Sequence, residues 1–288
     1  MRSPVDRLPQ RGGIGLKPAH YADLLAAHDR GTAPAWVEVH PQNYFGAGGP
    51  PHRWLTAVAE RLPLSFHSVG LSLGSPSGLD RDELDTLAAL AERYQPAMVS
   101  DHLSWSGVDG EKFPDLLPLP MTGASLSHFA REVDRVQNRL GRRILIENPS
   151  RVLAFRGDDF DEPGFLGELA QRSGCGLLLD INNILVGAIN LGFDAQAYVD
   201  AIDPALVGEV HVAGHAIEDH ADGSRIAIDD HGSPVSEECW ALLERFLERS
   251  GPRPVLVERD NEIPPFAELA AEAKRADDLL IGGMRDAA

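Results

Sequence analysis

Cysteine is scarce in this 288-residue chain: there are 2, Cys175 and Cys239, with no Cys-x-x-Cys pairing. That excludes a disulfide framework and a thiolate-rich metal knuckle, and both residues read as core filler. Basic residues are in deficit as well, 26 Lys and Arg against 44 Asp and Glu, for a formal net charge of −18. A large duplex-DNA or RNA footprint requires the opposite sign, so no nucleic-acid partner is expected. No apolar run is long enough to span a bilayer, and no membrane association is expected. The N-terminal MRSPVDRLPQRGG has no apolar signal-peptide core; residues 1–12 read as a flexible lead-in, and the expected location is a reducing cytoplasm. Phosphate-binding fingerprints are missing too. No Gly-x-Gly-x-x-Gly follows the first strand, and GLSLGSPSG lacks the Gly-Lys-Ser/Thr ending of a P-loop.

What the chain does contain is alternation. Apolar runs at 13–16, 36–40, 64–69, 97–100, 143–146, 176–179, 207–212 and 254–257 read as strands. Helical patterns follow them at 19–28, 52–61, 79–94, 124–140, 163–172, 195–201, 237–249 and 266–280. Asp80 and Glu83 have capping-box spacing at the start of the third helix. Two connections, 103–123 and 213–234, exceed an ordinary strand-to-helix loop and read as functional loops or lids. No linker or repeat divides the chain, so residues 13–288 are expected to form one domain. Alternation of this kind predicts an α/β fold with a parallel sheet, and eight units in this length fit a (β/α)8 TIM barrel.

The same strands carry the chemistry. His40, His67, His102, Glu147, Asp180, His211 and Glu258 stand at or near strand C-terminal ends, and Asp229 and His231 lie in the loop after the seventh strand. In a barrel these ends converge on one mouth. So many acids and imidazoles cannot share a mouth at neutral pH without strong pKa shifts or bound cations. Nitrogen and oxygen ligands without thiolate suit iron, manganese or zinc, and six to nine candidates exceed the needs of one ion. Buried salt bridges to a barrel arginine are the competing explanation for Glu147, Asp180 and Glu258. His40 reads as structural. So does His215; Asn43, Asn148, Asn182 and Asn183 are turn formers or donors behind the ligands, and Tyr44 and Trp105 are expected in loops over the mouth. His20, His28, His52, His128 and His220 are expected to have no part in the site.

The segments VEVHPQNYFG, SFHSVGLSLGS, VSDHLSWSG, LLPLPMT, ILIENPS, GCGLLLDINN, EVHVAGH, IDDHGSPV and LVERDNEIPP, in this order, resemble the DUF692 family, the multinuclear non-haem iron-dependent oxidases that include the methanobactin-biosynthesis oxidase. The resemblance covers about residues 13–276. Ser68 stands where many members have Gly, and Asp101 where Glu is common; both neighbour ligand positions and bear on substrate choice. The resemblance implies a xylose-isomerase-like TIM barrel with two or three irons, mixed ferrous and ferric, and O2 as co-substrate. Carried over by motif, the metal ligands are His67, His102, Glu147, Asp180, His211, Asp229, His231 and Glu258, with Asn183 and His215 less firmly placed. Glu147, Asp180 and His211 are the implied catalytic centre. The implied substrate is a cysteine-containing ribosomally made precursor peptide, presented with a small leader-binding partner protein. The implied chemistry is of the oxazolone/thioamide, thiooxazole or carbon-excision type. Read without the resemblance, the same residues also suit a redox-neutral sugar isomerase, epimerase or phosphoesterase, or a non-catalytic metal-binding scaffold.

Overall fold

The computed structural model describes residues 7–286. In chain order its elements are β1 (Gly12–Gly15), α1 (Tyr21–Asp29), β2 (Val37–Val39), α2 (Pro50–Ala59), β3 (Leu64–His67), α3 (Arg81–Tyr94), β4 (Met98–His102), β5 (Trp105–Val108), β6 (Glu111–Leu117), α4 (Gly123–Leu140), β7 (Leu145–Glu147), α5 (Glu162–Ser173), β8 (Gly176–Asp180), α6 (Ile181–Leu191), α7 (Ala195–Ala201), β9 (Val207–Val212), β10 (Ala216–Asp219), β11 (Arg225–Ile228), α8 (Glu237–Ser250), β12 (Val255–Val257) and α9 (Phe266–Asp286). Eight parallel strands close in the order β1-β12-β9-β8-β7-β4-β3-β2. This is the expected barrel, built from the eight apolar runs.

Three elements differ from the sequence expectation. No helix is expected directly after Asp180, but α6 begins there: Asn182 and Asn183 lie in its first turn, and Asp180 caps it by accepting the Asn183 N–H. The long connections are not plain loops, because each carries an antiparallel hairpin, β5–β6 and β10–β11. The capping box of α3 is half-formed. Asp80 accepts from the Asp82 and Glu83 N–H groups, but the Glu83 side chain turns away to meet Gln42 and Lys112.

Barrel strands alternate between a face toward the helices and a face toward the axis. On β2, Val37 and Val39 take one face, and Glu38 and the following His40 take the other. Ser65 and His67 on β3, Ser100 and His102 on β4, and Glu209 and His211 on β9 repeat the pattern. The pairing of β8 with β9 skips Gly208 between Leu177–Val207 and Leu178–Glu209, a bulge next to the two inward groups of β9.

The opposite end of the barrel is shut. The Trp36 indole lies where a side chain on Gly13 would be: a Cβ there would come within 2.4 Å of the ring. Leu8, Trp36, Ala97 and Leu256 form a separate buried cluster at this end. Of the lead-in expected over residues 1–12, residues 1–6 lie outside the described residues. Leu8 belongs to the packed floor, and Gly12 is already strand, its N–H bonded to Asp277 of α9.

Candidate metal centre

Five of the proposed groups stand on the last inward positions of barrel strands: His67, His102, Glu147, Asp180 and His211; Glu258 directly follows β12. All six are buried. His67 Nε2, His102 Nε2 and Glu147 Oε2 lie 3.2 to 3.3 Å from one another. Those separations suit three ligands on the edges of one coordination polyhedron with bonds of about 2.1 Å. Glu147, Asp180 and His211 make a second such group, and Asp180, His231 and Glu258 a third. Glu147 and Asp180 each belong to two groups, so the three are fused through shared carboxylates.

The unsatisfied atoms converge here. Glu147 Oε2, Asp180 Oδ2 and His231 Nε2 are buried without a hydrogen-bond partner; His102 Nδ1 and His211 Nε2 lack one as well but lie on the far sides of their rings, near Asp101 and near Glu38 Oε2 and Glu209 Oε1. Buried polar atoms are nearly always paired, and a cluster of orphans requires an explanation. For the carboxylates the structure shows what frees them. Asp180 uses Oδ1 on the Asn183 N–H, at 2.7 Å, and leaves Oδ2 free. Glu147 accepts the Asn183 amide on Oε1, at 3.2 Å, and leaves Oε2 free. The donor set and its free atoms therefore fit metal ions. The ion-pair contacts of Glu147 and Glu258 are to imidazoles, not to the barrel arginine considered as their alternative.

Electrostatics give the same picture. Burial raises Asp180 to about 7 and holds Glu147 well above the carboxylate range. Burial, aided by neighbouring imidazoles, lowers His102 to about 4 and His67 well below its usual value. His211 goes the other way: burial opposes its charge, but Glu38, Glu209 and Glu258 outweigh it and raise it. His231 is raised likewise by Glu258 and Asp229 against burial. Glu258, in turn, is lowered against burial by His231 and His211. Metal-free, this mouth holds protons on Glu147, Asp180, His211 and His231, beside neutral His67 and His102 and an ionised Glu258. Ligation would require most of them to lose protons.

The remaining expected residues sort by position. Asp229 Oδ1 lies 2.6 Å from His231 Nε2 and accepts from Asn182 Nδ2 at 2.8 Å. His215 Nδ1 meets Asn182 Oδ1 at 2.8 Å, so His215 lies behind Asn182 and Asp229 rather than within one of the close groups. Asn183 sits behind Glu147 and Asp180 as their donor. His231 adopts φ 49°, a left-handed backbone uncommon for a residue with a side chain and often found at functional positions. Tyr44 is buried, its hydroxyl 2.6 Å from that of Tyr21, and so anchors its loop rather than covering the mouth. Trp105 anchors the β5–β6 hairpin by donating to the Pro118 carbonyl. Cys175 and Cys239 are buried in the core. Asp101 accepts the His102 and Leu71 N–H groups and so braces the end of β4.

Several residues join the site that sequence reasoning left out. His40 faces Asp260 at 3.6 Å and lines the mouth. Asp260 contacts His231 Nδ1 at 3.1 Å and pairs with Lys17. Glu38 and Glu209 lie under His211. Ser100 hydrogen-bonds His67 Nδ1 at 2.8 Å. Period two along the strands was the available signal for Glu38, Ser100 and Glu209, which stand two residues before His40, His102 and His211.

Above these groups is a cavity of about 250 Å3. It adjoins a groove of about 610 Å3 between the β5–β6 hairpin and residues 69–83, and the two share Val69, Asp115 and Leu116 as walls. Lys112 of the hairpin crosses to Asp80 and Glu83, 3.0 Å from each.

A family model described as RiPP precursor modification enzyme MbnB/TglH/ChrH matches residues 11–281. The chain belongs to that family. This bears out the resemblance drawn from the strand-end motifs. Among similar proteins, a UPF0276 protein of Caulobacter sp. (strain K31) is 50% identical over 93% of this chain and 95% of its own length. A UPF0276 protein of Bordetella bronchiseptica is 44% identical over 99% and 98%. Among solved structures, an L-ribulose 3-epimerase superimposes with a TM-score of 0.62 at 16% identity, covering 96% of each chain. A xylose isomerase domain protein from Alicyclobacillus acidocaldarius gives 0.60 at 18% identity, over 95% of this chain and 99% of its own. These likenesses establish the xylose-isomerase-like barrel and no more than the fold.

Proposed function

We propose that the protein is an iron- and O2-dependent oxidase that modifies a cysteine of a ribosomally synthesised precursor peptide. The observation that carries this reading is the fused set of three imidazole–carboxylate groups with free buried atoms, in a chain of the RiPP precursor modification family. His67, His102 and Glu147 would hold one ion, Glu147, Asp180 and His211 a second, and Asp180, His231 and Glu258 a third, with Asp229 completing the set beside His231. Bound iron would supply one-electron redox chemistry and open positions for a substrate thiolate and for O2.

The chain's own residues set the conditions. Glu147 and Asp180, each presenting one free oxygen and each shared by two groups, fix the spacing of the ions. Asn183 keeps both carboxylates turned inward. The buried lining excludes bulk water from everything but the mouth. A peptide lying in the groove beneath the β5–β6 hairpin would deliver its cysteine past Val69 and Leu116. With both of the protein's own thiols in the core, the reacting sulfur comes from the substrate. A small partner protein that binds the leader belongs to this proposal as well.

Anaerobic reconstitution with Fe(II), followed by O2 and a cysteine-bearing peptide encoded beside the gene, tests the reading. The expected result is an oxygen-dependent mass change on a cysteine-containing fragment. Iron-loaded protein that leaves every such peptide unchanged, with and without a co-encoded small protein, overturns it. Colourless protein that takes up zinc or manganese in preference to iron would favour a redox-neutral enzyme instead.

A further inference from the structure

Each mouth histidine has two ring nitrogens, and only one can face an ion. What the other nitrogen meets differs from residue to residue. The second nitrogen of His67 meets only the Ser100 hydroxyl. His102 Nδ1 is unpartnered, 4.0 Å from Asp101. His211 alone is backed by a fully enclosed acid pair. Its Nδ1 lies toward the mouth, 3.1 Å from Glu258 Oε2. Its Nε2 points into the barrel, 3.0 Å from Glu38 Oε2 and 3.6 Å from Glu209 Oε1. Both acids are buried, and Ser65 donates to Glu209 Oε2 at 2.9 Å. Two carboxylic acids in the interior of a barrel are costly to desolvate, so they are not there as filler.

We propose that Glu38, braced by Glu209 and Ser65, is the positioning residue that holds His211 with its proton on Nε2 and its Nδ1 lone pair aimed at the metal mouth. The proposal rests on reading the mouth as a metal centre; it does not depend on the metal being iron or on the reaction being an oxidation. A neutral imidazole carries one proton, and the nitrogen that lacks it is the ligand. A carboxylate behind Nε2 selects the tautomer, fixes the ring and makes the ligand more basic. Glu209 adds a second negative charge behind the same nitrogen, and Ser65 keeps that carboxylate from turning away. The arrangement makes His211 the strongest donor among the mouth imidazoles, in the group that contains both shared carboxylates.

E38Q tests this. An amide can donate its N–H to Nε2 and so drive the proton to Nδ1, where it blocks ligation. Co(II) titration, followed by its visible absorption, is expected to show about 10- to 100-fold weaker binding at one site. Long-range 1H–15N spectra of [15N]histidine-labelled, Zn(II)-loaded protein should place the wild-type His211 proton on Nε2 and show that signature lost in E38Q. A merely structural role for Glu38 would lower the melting temperature and leave both readouts unchanged, and that result overturns the proposal. Should E38Q fail to fold, E209Q and S65A carry the test. Weakened Co(II) binding with His211 still on Nε2 is expected for both, and unaltered affinity in both overturns it. Wild-type protein that takes up no Co(II) or Zn(II) overturns the metal reading and this proposal together, an outcome distinct from unchanged affinity in the variants.

Discussion

Asp180 divides its carboxylate between two tasks: Oδ1 accepts the Asn183 N–H at 2.7 Å and starts α6, while Oδ2 has no partner and faces the mouth. The cap and the candidate ligand are therefore one group. Asp180→Asn keeps a cap oxygen and removes the buried acid. In metal-free protein it should leave the melting temperature unchanged or raise it, because an acid held at about 7 by burial is replaced by a neutral amide. The stabilisation that added Co(II) gives the wild type should be lost. Thermal melts with and without Co(II) check both halves.

Stability of the metal-free protein should fall as pH rises from 6.5 to 8.5. Glu38 and Asp180 sit at about 7, and Glu147, His211 and His231 are all raised well above their usual values. The folded state thus holds protons that the unfolded chain has already lost. Each costs about 1.4 kcal/mol of stability per pH unit while that difference lasts. Glu258 and Asp260 are ionised in both states across this window, while His67 and His102 are neutral when folded and lose their unfolded-state protons near 6.5, so they offset part of the fall at its lower end only. Metal binding expels the protons, so the gain in melting temperature on adding Co(II) should widen over the same range. A gain that narrows with pH would contradict the ligand assignment.

Asn183 is expected to act without touching an ion. Asn183→Leu removes the donor to Glu147 Oε1 and to the Asn148 carbonyl. Metal affinity should drop about 10- to 100-fold as Glu147 loses its orientation. Loss of one equivalent on dialysis, measured by elemental analysis, is the check.

Gly214 supports the loop that carries Asp229 and His231. A Cβ there would lie 2.3 Å from the Ser233 carbonyl oxygen and 2.6 Å from that of Pro234, both backbone atoms. Gly214→Ala should displace this loop, cost about 1–3 kcal/mol, and empty the site at Asp180, His231 and Glu258 before the one at His67 and His102. Denaturant melts and metal stoichiometry measure the two effects separately.

Cys175 and Cys239 should resist a thiol reagent in the folded protein and react after unfolding. Both are buried, and burial raises both thiols. A double Ser variant should bind metal with unchanged affinity. Reduced affinity would make one of them a ligand.

The barrel was legible because its strands are apolar runs, seven of the eight ending at or near a ligand-type residue, and such runs survive any choice of helix boundaries. Asp180 and His211 were found this way. Glu38 was not, because a Glu inside WVEVH reads as the solvent face of an ordinary strand. In a closed barrel neither face meets solvent, and the step of two residues from His40 puts Glu38 inside. Helix α6, which starts with the Asn pair after Asp180, was missed for a related reason. Asn favours turns through its local hydrogen bonds, but here the Asp180 cap and the apolar positions Ile181, Ile184 and Val186 of α6 override that preference. The role of Asp260 depends on a contact with His231 across 29 positions, which no local pattern announces.

Trp36 in the hollow left by Gly13 turns the barrel into a vessel with one port. Water, ions and any substrate then share a single doorway, and traffic through it has an order. A bulky peptide settled at the entrance is also a stopper, so small reactants must be aboard first or slip in along the edge of the hairpin. Exchange of the metal ions would follow the same rule, slow once the port is filled.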